Sequence, residues 1–236
     1  MALKIAFRRV RRPDPALVAR AGACAMSDLY EALPAKQRDA ALMSTRMRPL
    51  VPGLRIAGPA VTAQCAPGDN LMMHRALLLA EPGDVLVVAA AERPSAQWGY
   101  LAAVYAARKG LAGVIVDGCI RDTDVLLERR CPVWSTTISA AHPTKAGAGA
   151  VNAPIVCDGV PVRPGDLVSA DTDGVLVVAA ERIAEAVAGA EARAAREAAD
   201  EAAIAEGRSL FELHDLEAAY ARTGVREIDR AWNDPA

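Results

Sequence analysis

No apolar run in this sequence approaches the roughly 20 residues that a membrane-spanning helix needs, so no membrane association is expected. The N-terminal stretch MALKIAFRRVRRPDP is basic, but it lacks a sustained apolar segment and a small-residue cleavage site. It does not read as a secretory signal. Paired cysteines are missing too. Cys24, Cys65, Cys119, Cys131 and Cys157 are scattered without a C-x-x-C, an odd set that suits small core residues in a reducing compartment. The expected location is the cytoplasm. Positive charge is not in excess either: the formal net charge is −2, which leaves no general basic field, and no nucleic-acid partner is expected. The small-residue loop 144–150, TKAGAGA, holds one lysine, Lys145, but lacks the Walker A order. His74 and His142 stand far apart in the chain and form no metal-ligand spacing; His74, beside Met72-Met73, reads as a core or rim histidine.

What is present is a folded α/β composition. Hydrophobic residues make up 53% of the 236 and charged residues 24%, enough for one large core. Pro67-Gly68-Asp69, Pro82-Gly83-Asp84 and Pro164-Gly165-Asp166 each fit a type II turn, with proline fixing φ and glycine supplying a positive φ. The last two lead into strands, Val-Leu-Val-Val and Leu-Val-Ser-Ala. Further strands are expected over 55–64, 113–117, 132–135, 155–157 and 174–178, which are β-branched, short and bounded by Gly or Pro. Helices are expected over 15–33, 71–80 and 98–109 from apolar spacings of three and four. Asp69-Asn70 reads as the cap of the second, and Gly110 after Arg108-Lys109 as the stop of the third.

The mixture predicts a single layered domain over 1–236, with a core at about 21–180 and a C-terminal helix and tail over 181–236. Residues 181–206 are rich in Ala and charge. Ile183, Val187, Ala190, Ala194 and Ile204 share one stripe with Glu197 and Glu201. An acid on an apolar stripe must meet solvent, a cation or a partner chain. The polar tail from Ser209 is expected to wrap another surface.

The stretch Gly113-Val-Ile-Val-Asp117-Gly-Cys-Ile-Arg121-Asp122 carries the most chemistry. An apolar strand runs to a turn at Asp117-Gly118 and delivers an arginine beside an aspartate. Open α/β sheets present ligand groups just past the carboxyl ends of their strands. Such a pair suits an anion and a hard cation held side by side; the plainer reading is a local ion pair closing the turn. Cys119 lacks a His partner in sequence and reads as a packed thiol.

From about Ala21 to Glu206 the sequence resembles the class II pyruvate aldolases that cleave 4-hydroxy-4-methyl-2-oxoglutarate and 4-carboxy-4-hydroxy-2-oxoadipate, within the RraA-like superfamily. The resemblance rests on seven segments in order. They are Arg55-Ile-Ala-Gly-Pro-Ala-Val-Thr62, Pro67-Gly-Asp-Asn70, Pro82-Gly-Asp84, Trp98-Gly99, the Gly113-to-Asp122 stretch, Cys131-Pro-Val-Trp134, and Pro164-Gly-Asp166 through Asp173-Gly-Val175. The carboxy-hydroxy-oxoadipate branch looks nearest. The resemblance implies a layered α-β-β-α domain of the swivelling β/β/α type with a long C-terminal helix. It implies Asp122 as the direct ligand of Mg²⁺ or Mn²⁺, Arg121 as the charge beside the reacting oxygen, and Gly99, Tyr100, Leu101 and Ala102 as the substrate-carboxylate loop. Glu197 of a neighbouring subunit would reach the metal through water. The expected partners are a small 2-oxo acid and further copies of the chain, as a trimer or a hexamer.

One departure stands out. The family motif is D-x20-R-D, and Tyr100 occupies the position of its first aspartate. Tyrosine donates and accepts hydrogen bonds but brings no charge near neutral pH. Three readings follow: a metal-dependent aldolase with possible oxaloacetate decarboxylation, a related lyase with altered substrate, or a non-catalytic interaction protein of the RraA type. A Schiff-base aldolase using Lys145 or Lys109 is a fourth, requiring a desolvated lysine of lowered pKa.

Overall fold

The computed structural model describes residues 4–90 and 93–234. Backbone contacts group the chain into two compact units, Met1–Ala192 and Arg193–Ala236.

A ten-stranded sheet forms the centre of the first unit. Its four middle strands, Ile56–Gln64, Val85–Ala89, Gly113–Ile120 and Val133–Ile138, run parallel in that spatial order. Val85–Ala89 and Gly113–Ile120 are buried at every position. Parallel strands covered on both faces have this pattern, which is why the sequence gives continuous apolar runs there instead of alternation. Leu86, Val88, Val114 and Val116 pack with Met73, Leu77, Ala103, Ala106 and Leu126 from the helices Leu71–Leu79, Tyr100–Lys109 and Thr123–Glu128. Val85, Val87 and Ile115 point the other way, onto Met43, Met47, Trp134 and the hairpin Ile155–Cys157/Val160–Val162. A third cluster packs the helices Pro15–Ala23 and Met26–Ala32, with Ile183, Ala186, Val187 and Ala190, onto Leu167, Leu176 and Val178. The result is the layered α/β architecture expected, and each fully buried Val, Leu or Ile adds about 1.5–3 kcal/mol of apolar transfer.

All three Pro-Gly-Asp turns form as expected, with Gly68, Gly83 and Gly165 at φ of 79°, 85° and 90°. The sequence did not reveal what the aspartates do next. Asp84 and Asp166 are buried, and each accepts from the amide three residues back, Glu81 (2.7 Å) and Arg163 (2.8 Å). Asp84 also takes a two-pronged grip from Arg12 at 2.8 and 2.7 Å. That contact holds the Arg12 guanidinium above its ordinary pKa against the opposing effect of burial.

Four local expectations need correction. The helix expected over 15–33 breaks at Cys24–Ala25, where Cys24 is extended and the Asp171 carboxylate accepts the Met26 amide at 3.3 Å. Trp98 lies in a short strand, Ala96–Trp98, because it pairs with Ile120, and the helix starts at Tyr100. Asp117-Gly118 is not a turn. The strand continues to Ile120 through an irregularity, with its register against Val133–Ile138 shifting between Val116 and Cys119, a bulge of the sort found next to functional sites. Finally, Val160–Val162 adds a hairpin partner to Ile155–Cys157 across Asp158-Gly159, both at positive φ.

In the second unit the helix Ile183–Ala205 completes its course, with Glu197 paired to Arg193 at 3.0 Å, one turn away. A capping box between Ser209 and Glu212 opens the short helix Leu210–Leu213, and the Phe211 ring meets Tyr220 edge-on at 5.9 Å. Among the described residues no helix is long and apolar enough to cross a membrane.

Candidate active site

Parallel strands place their chain ends together, and the Gly113–Ile120 strand hands over to Arg121 and Asp122 at its carboxyl end. The Ala96–Trp98 strand runs alongside, and the Arg121 amide donates to the Trp98 carbonyl at 3.0 Å. Gly99 therefore lies directly opposite the Arg121-Asp122 pair. Asp122 adopts the left-handed conformation, φ 58° and ψ 34°, which aspartate tolerates better than bulkier residues, and it opens the Thr123–Glu128 helix. This pose swings its carboxylate back across the strand end, where Oδ2 accepts the Tyr100 amide at 2.9 Å. A Cβ on Gly99 would come within 2.7 Å of that same oxygen. Only glycine lets the acid approach.

The ion pair that the plainer sequence reading proposed is loose. Arg121 Nε stands 3.7 Å from Asp122 Oδ2, and both side chains are more than one-third exposed. Exposed pairs of this kind contribute at most about 1 kcal/mol. The strand end is fastened instead by the Tyr100 and Arg121 amides. Arg121 keeps its guanidinium largely free, with one further contact at 3.4 Å from Nη1 to Nδ1 of His142.

These groups line a cleft of about 730 Å³. Arg121, Asp122, Thr123 and Asp124 line it together with Gly99 and with Tyr100, Leu101 and Ala102 from the start of the Tyr100–Lys109 helix. The Ala103 amide already bonds to the Gly99 carbonyl, and the Tyr100 amide is taken by Asp122. The Leu101 and Ala102 amides of the first turn remain for an anion. The Tyr100 ring lies under the Arg129 guanidinium, 5.2 Å from its centroid.

The cleft has further lining that the sequence did not reveal. Asn70, which caps the Leu71–Leu79 helix, Met73 and His74 within it, Gln97 and Trp98, and Pro143 and Lys145 also line the cleft. Asn70 and His74 are four residues apart, one helical turn, so they share a face, and that spacing was a usable signal. His74 is exposed in the cleft; burial lowers its pKa, Lys145 lowers it further, and Asp69 opposes both. Asn70 Oδ1, Gln97 Oε1 and Trp98 Nε1 are buried with no hydrogen-bond partner among the described residues. Lys109 does not belong here: its Nζ donates to the Leu77 and Leu78 carbonyls at 3.0 and 2.7 Å, the end of a neighbouring helix. Cys119 is buried with Sγ 3.0 Å from Thr137 Oγ1, a packed thiol as expected. Glu197 lies in the second unit, exposed and paired with Arg193.

A charged cleft at the carboxyl ends of parallel strands is where open α/β sheets place their ligands. The chain belongs to the RraA-like family: the family model described as Aldolase/RraA matches residues 26–177, more than half of its length. It is 39% identical over 137 residues to a protein of Halalkalibacterium halodurans named "Putative 4-hydroxy-4-methyl-2-oxoglutarate aldolase", spanning 65% of that relative. A protein of the same name from Burkholderia mallei (strain SAVP1) is 41% identical over 128 residues, covering 52% of this chain and 74% of the relative. Among solved structures, an uncharacterized protein from Pseudomonas syringae pv. tomato superposes with a TM-score of 0.75 at 25% identity, over 86% of this chain and 98% of that one. Streptomyces coelicolor RraAS2, described as an unusual member of the RNase ES inhibitor RraA protein family, gives 0.69 at 29% identity over 85% and 100%.

Proposed function

We propose that this chain is a divalent-metal-dependent lyase that cleaves a 4-hydroxy-2-oxo diacid into pyruvate and a second oxo acid. The observation that carries the reading is the geometry of Asp122 beside Arg121, at a strand end and across from a helix N-terminus. The names of the aldolase relatives support it.

The residues fit a hard cation. Asp122 is 41% exposed to the cleft, Oδ2 is steadied by the Tyr100 amide, and Oδ1 accepts no hydrogen bond among the described residues. No group of three or more His, Cys, Asp or Glu suited to a metal occurs among the described residues. The fitting ion is thus one that keeps most of its water, as Mg²⁺ and Mn²⁺ do, rather than one that needs a protein cage. When bound, such an ion supplies Lewis acidity toward the substrate's 2-keto oxygen. The Leu101 and Ala102 amides then orient the adjacent carboxylate. As the C3–C4 bond breaks, the 4-hydroxyl passes its proton to water in the open cleft and becomes the carbonyl of the leaving oxo acid. The electron pair moves onto the pyruvate half as an enolate, and Arg121 stabilises its developing charge from a fixed site. Return of a proton from that water to C3 completes the methyl group and releases pyruvate. Loss of CO₂ from oxaloacetate makes the same enolate, so that decarboxylation is a companion activity. Glu197 of a second copy would approach the ion through water.

EDTA should abolish pyruvate release, Mn²⁺ should restore it, and Asp122→Ala should be inactive at an unchanged melting temperature. Full activity in chelator would remove the proposal. Borohydride with pyruvate should trap no adduct on Lys145.

Tyr100 in place of the family aspartate favours a second reading, a non-catalytic protein of the RraA type. A panel of 4-hydroxy-2-oxo diacids and oxaloacetate assayed with Mn²⁺ separates the two, since no turnover of any member would favour it.

A further inference from the structure

We propose that Lys145, together with His74, forms a second anion subsite that binds the distal carboxylate of the diacid, in the same cleft as Arg121 and Asp122. This inference rests on the lyase reading for the identity of the ligand, but its geometry stands on its own. Three independent observations support it.

The first is unspent charge. Lys145 lines the cleft, and none of the ion pairs among the described residues engages it. A cation facing a cleft without a counter-ion is a site for an anion.

The second is that the lysine is held in place. Its loop would be floppy by composition, since Ala and Gly surround it, yet it is fastened on both sides. The buried Asp69 carboxylate takes hydrogen bonds from Thr144 Oγ1 (2.7 Å) and from the Ala146 and Gly147 amides (2.6 and 2.8 Å) through one oxygen. Its other oxygen accepts the Leu71 amide at 2.8 Å. The backbone adds Thr144 N to Gly68 O at 2.8 Å and Asn70 N to Thr144 O at 3.1 Å. A side chain on Gly147 would strike Ala66 Cβ at 2.8 Å and Asp69 Cβ at 2.9 Å, so the loop lies flat against its anchor. Lysine rotamers lose entropy on binding, but here the backbone contribution is already fixed.

The third is a floor of unmet hydrogen bonds. Asn70 Oδ1, Gln97 Oε1 and Trp98 Nε1 are three of the five buried orphan atoms among the described residues, and all three residues line this one cleft. Native interiors keep such orphans few, and a cluster of them marks a place served by something not made of protein. His74, whose neutral form is favoured by burial and by Lys145, adds a neutral hydrogen-bonding group beside the ammonium.

The cleft, about 730 Å³, is too large for a three-carbon acid alone, and both Arg121 and Lys145 line it. A 2-oxo diacid satisfies both, one carboxylate at the Leu101 and Ala102 amides and the other at Lys145.

The test compares two non-cleavable probes, pyruvate and 2-oxoglutarate, by titration calorimetry with Mn²⁺ present. Lys145→Met should weaken 2-oxoglutarate about tenfold or more beyond any change in pyruvate affinity, the loss expected for one charge-assisted hydrogen bond. Lys145→Arg should recover most of it. Equal effects on both probes, or no effect on either, would overturn the subsite, and so would failure of the unmodified protein to prefer 2-oxoglutarate over pyruvate. Because the readout is binding, the subsite stands if the preference appears without turnover. It falls alone if turnover occurs and the preference is untouched by the lysine.

Discussion

Gly99 has an extended backbone, φ −164°, that any residue can adopt, so its importance is not conformational. What forbids a side chain is Asp122 Oδ2, 2.7 Å from where the Cβ would be, with Arg121 Cγ at 3.2 Å. Gly99→Ala should therefore spare the fold and displace the acid. We expect pyruvate release to fall about 10–100-fold, the usual cost of misplacing such a group, with a melting temperature near that of the unmodified protein. Undiminished turnover in this variant would mean that the carboxylate can move without consequence. Tyr100 poses the converse case. Its amide serves Asp122 while its ring serves Arg129, so the backbone role is kept whatever the side chain. Tyr100→Asp should raise kcat/KM for the diacid at a stability cost of about 0.5–1 kcal/mol from the lost cation–π contact. No gain would show that the chain has settled on a different substrate.

At the scale of elements, the Pro-Gly-Asp turns link composition to geometry. Burial pushes the Asp69 carboxyl up, but hydrogen bonds from Leu71, Gly147, Thr144 and Ala146 together hold it below its ordinary range. A lowered carboxyl stabilises the fold above the unfolded pKa of about 3.9, and that stability disappears as the pH falls through the folded value. Thermal melts should accordingly show a loss on acidification below about pH 4 that Asp69→Asn reduces. The variant should start from a lower melting temperature at pH 7. An unchanged acid slope would assign the dependence to other carboxyls. The turns themselves were legible because proline and glycine act locally, and so were the long strands, whose apolar runs survive any register. The break at Cys24–Ala25 was not, since it depends on Asp171, far away in sequence. Likewise the bulge at Asp117-Gly118 is imposed by pairing on both flanks and leaves no mark beyond the glycine. In the cleft, Arg121, Asp122 and Gly99 could be named from one segment and its resemblance. His74, Lys145, Asn70 and Gln97 could not be joined to them, because only the tertiary crossing of loop 144–150 past the helix start at Leu71 brings them together.

For the whole molecule, the reading requires more than one copy, because Glu197 is assigned to a neighbour's site. In solution we expect a mass three or six times the 24.7 kDa protomer, measured by light scattering. Asp122→Ala and Glu197→Ala should each be inactive alone, yet mixing them through dissociation and reassembly should recover part of the pyruvate release. Hetero-oligomers that stay inert would detach Glu197 from the reaction. Asp69, meanwhile, ties down the loop that carries Lys145 and bonds to neither Arg121 nor Asp122. Insertions or deletions in that loop would therefore lengthen or shorten the molecule that fits while leaving the bond-breaking end as it was. A lineage with this layout can change its diet without relearning its chemistry.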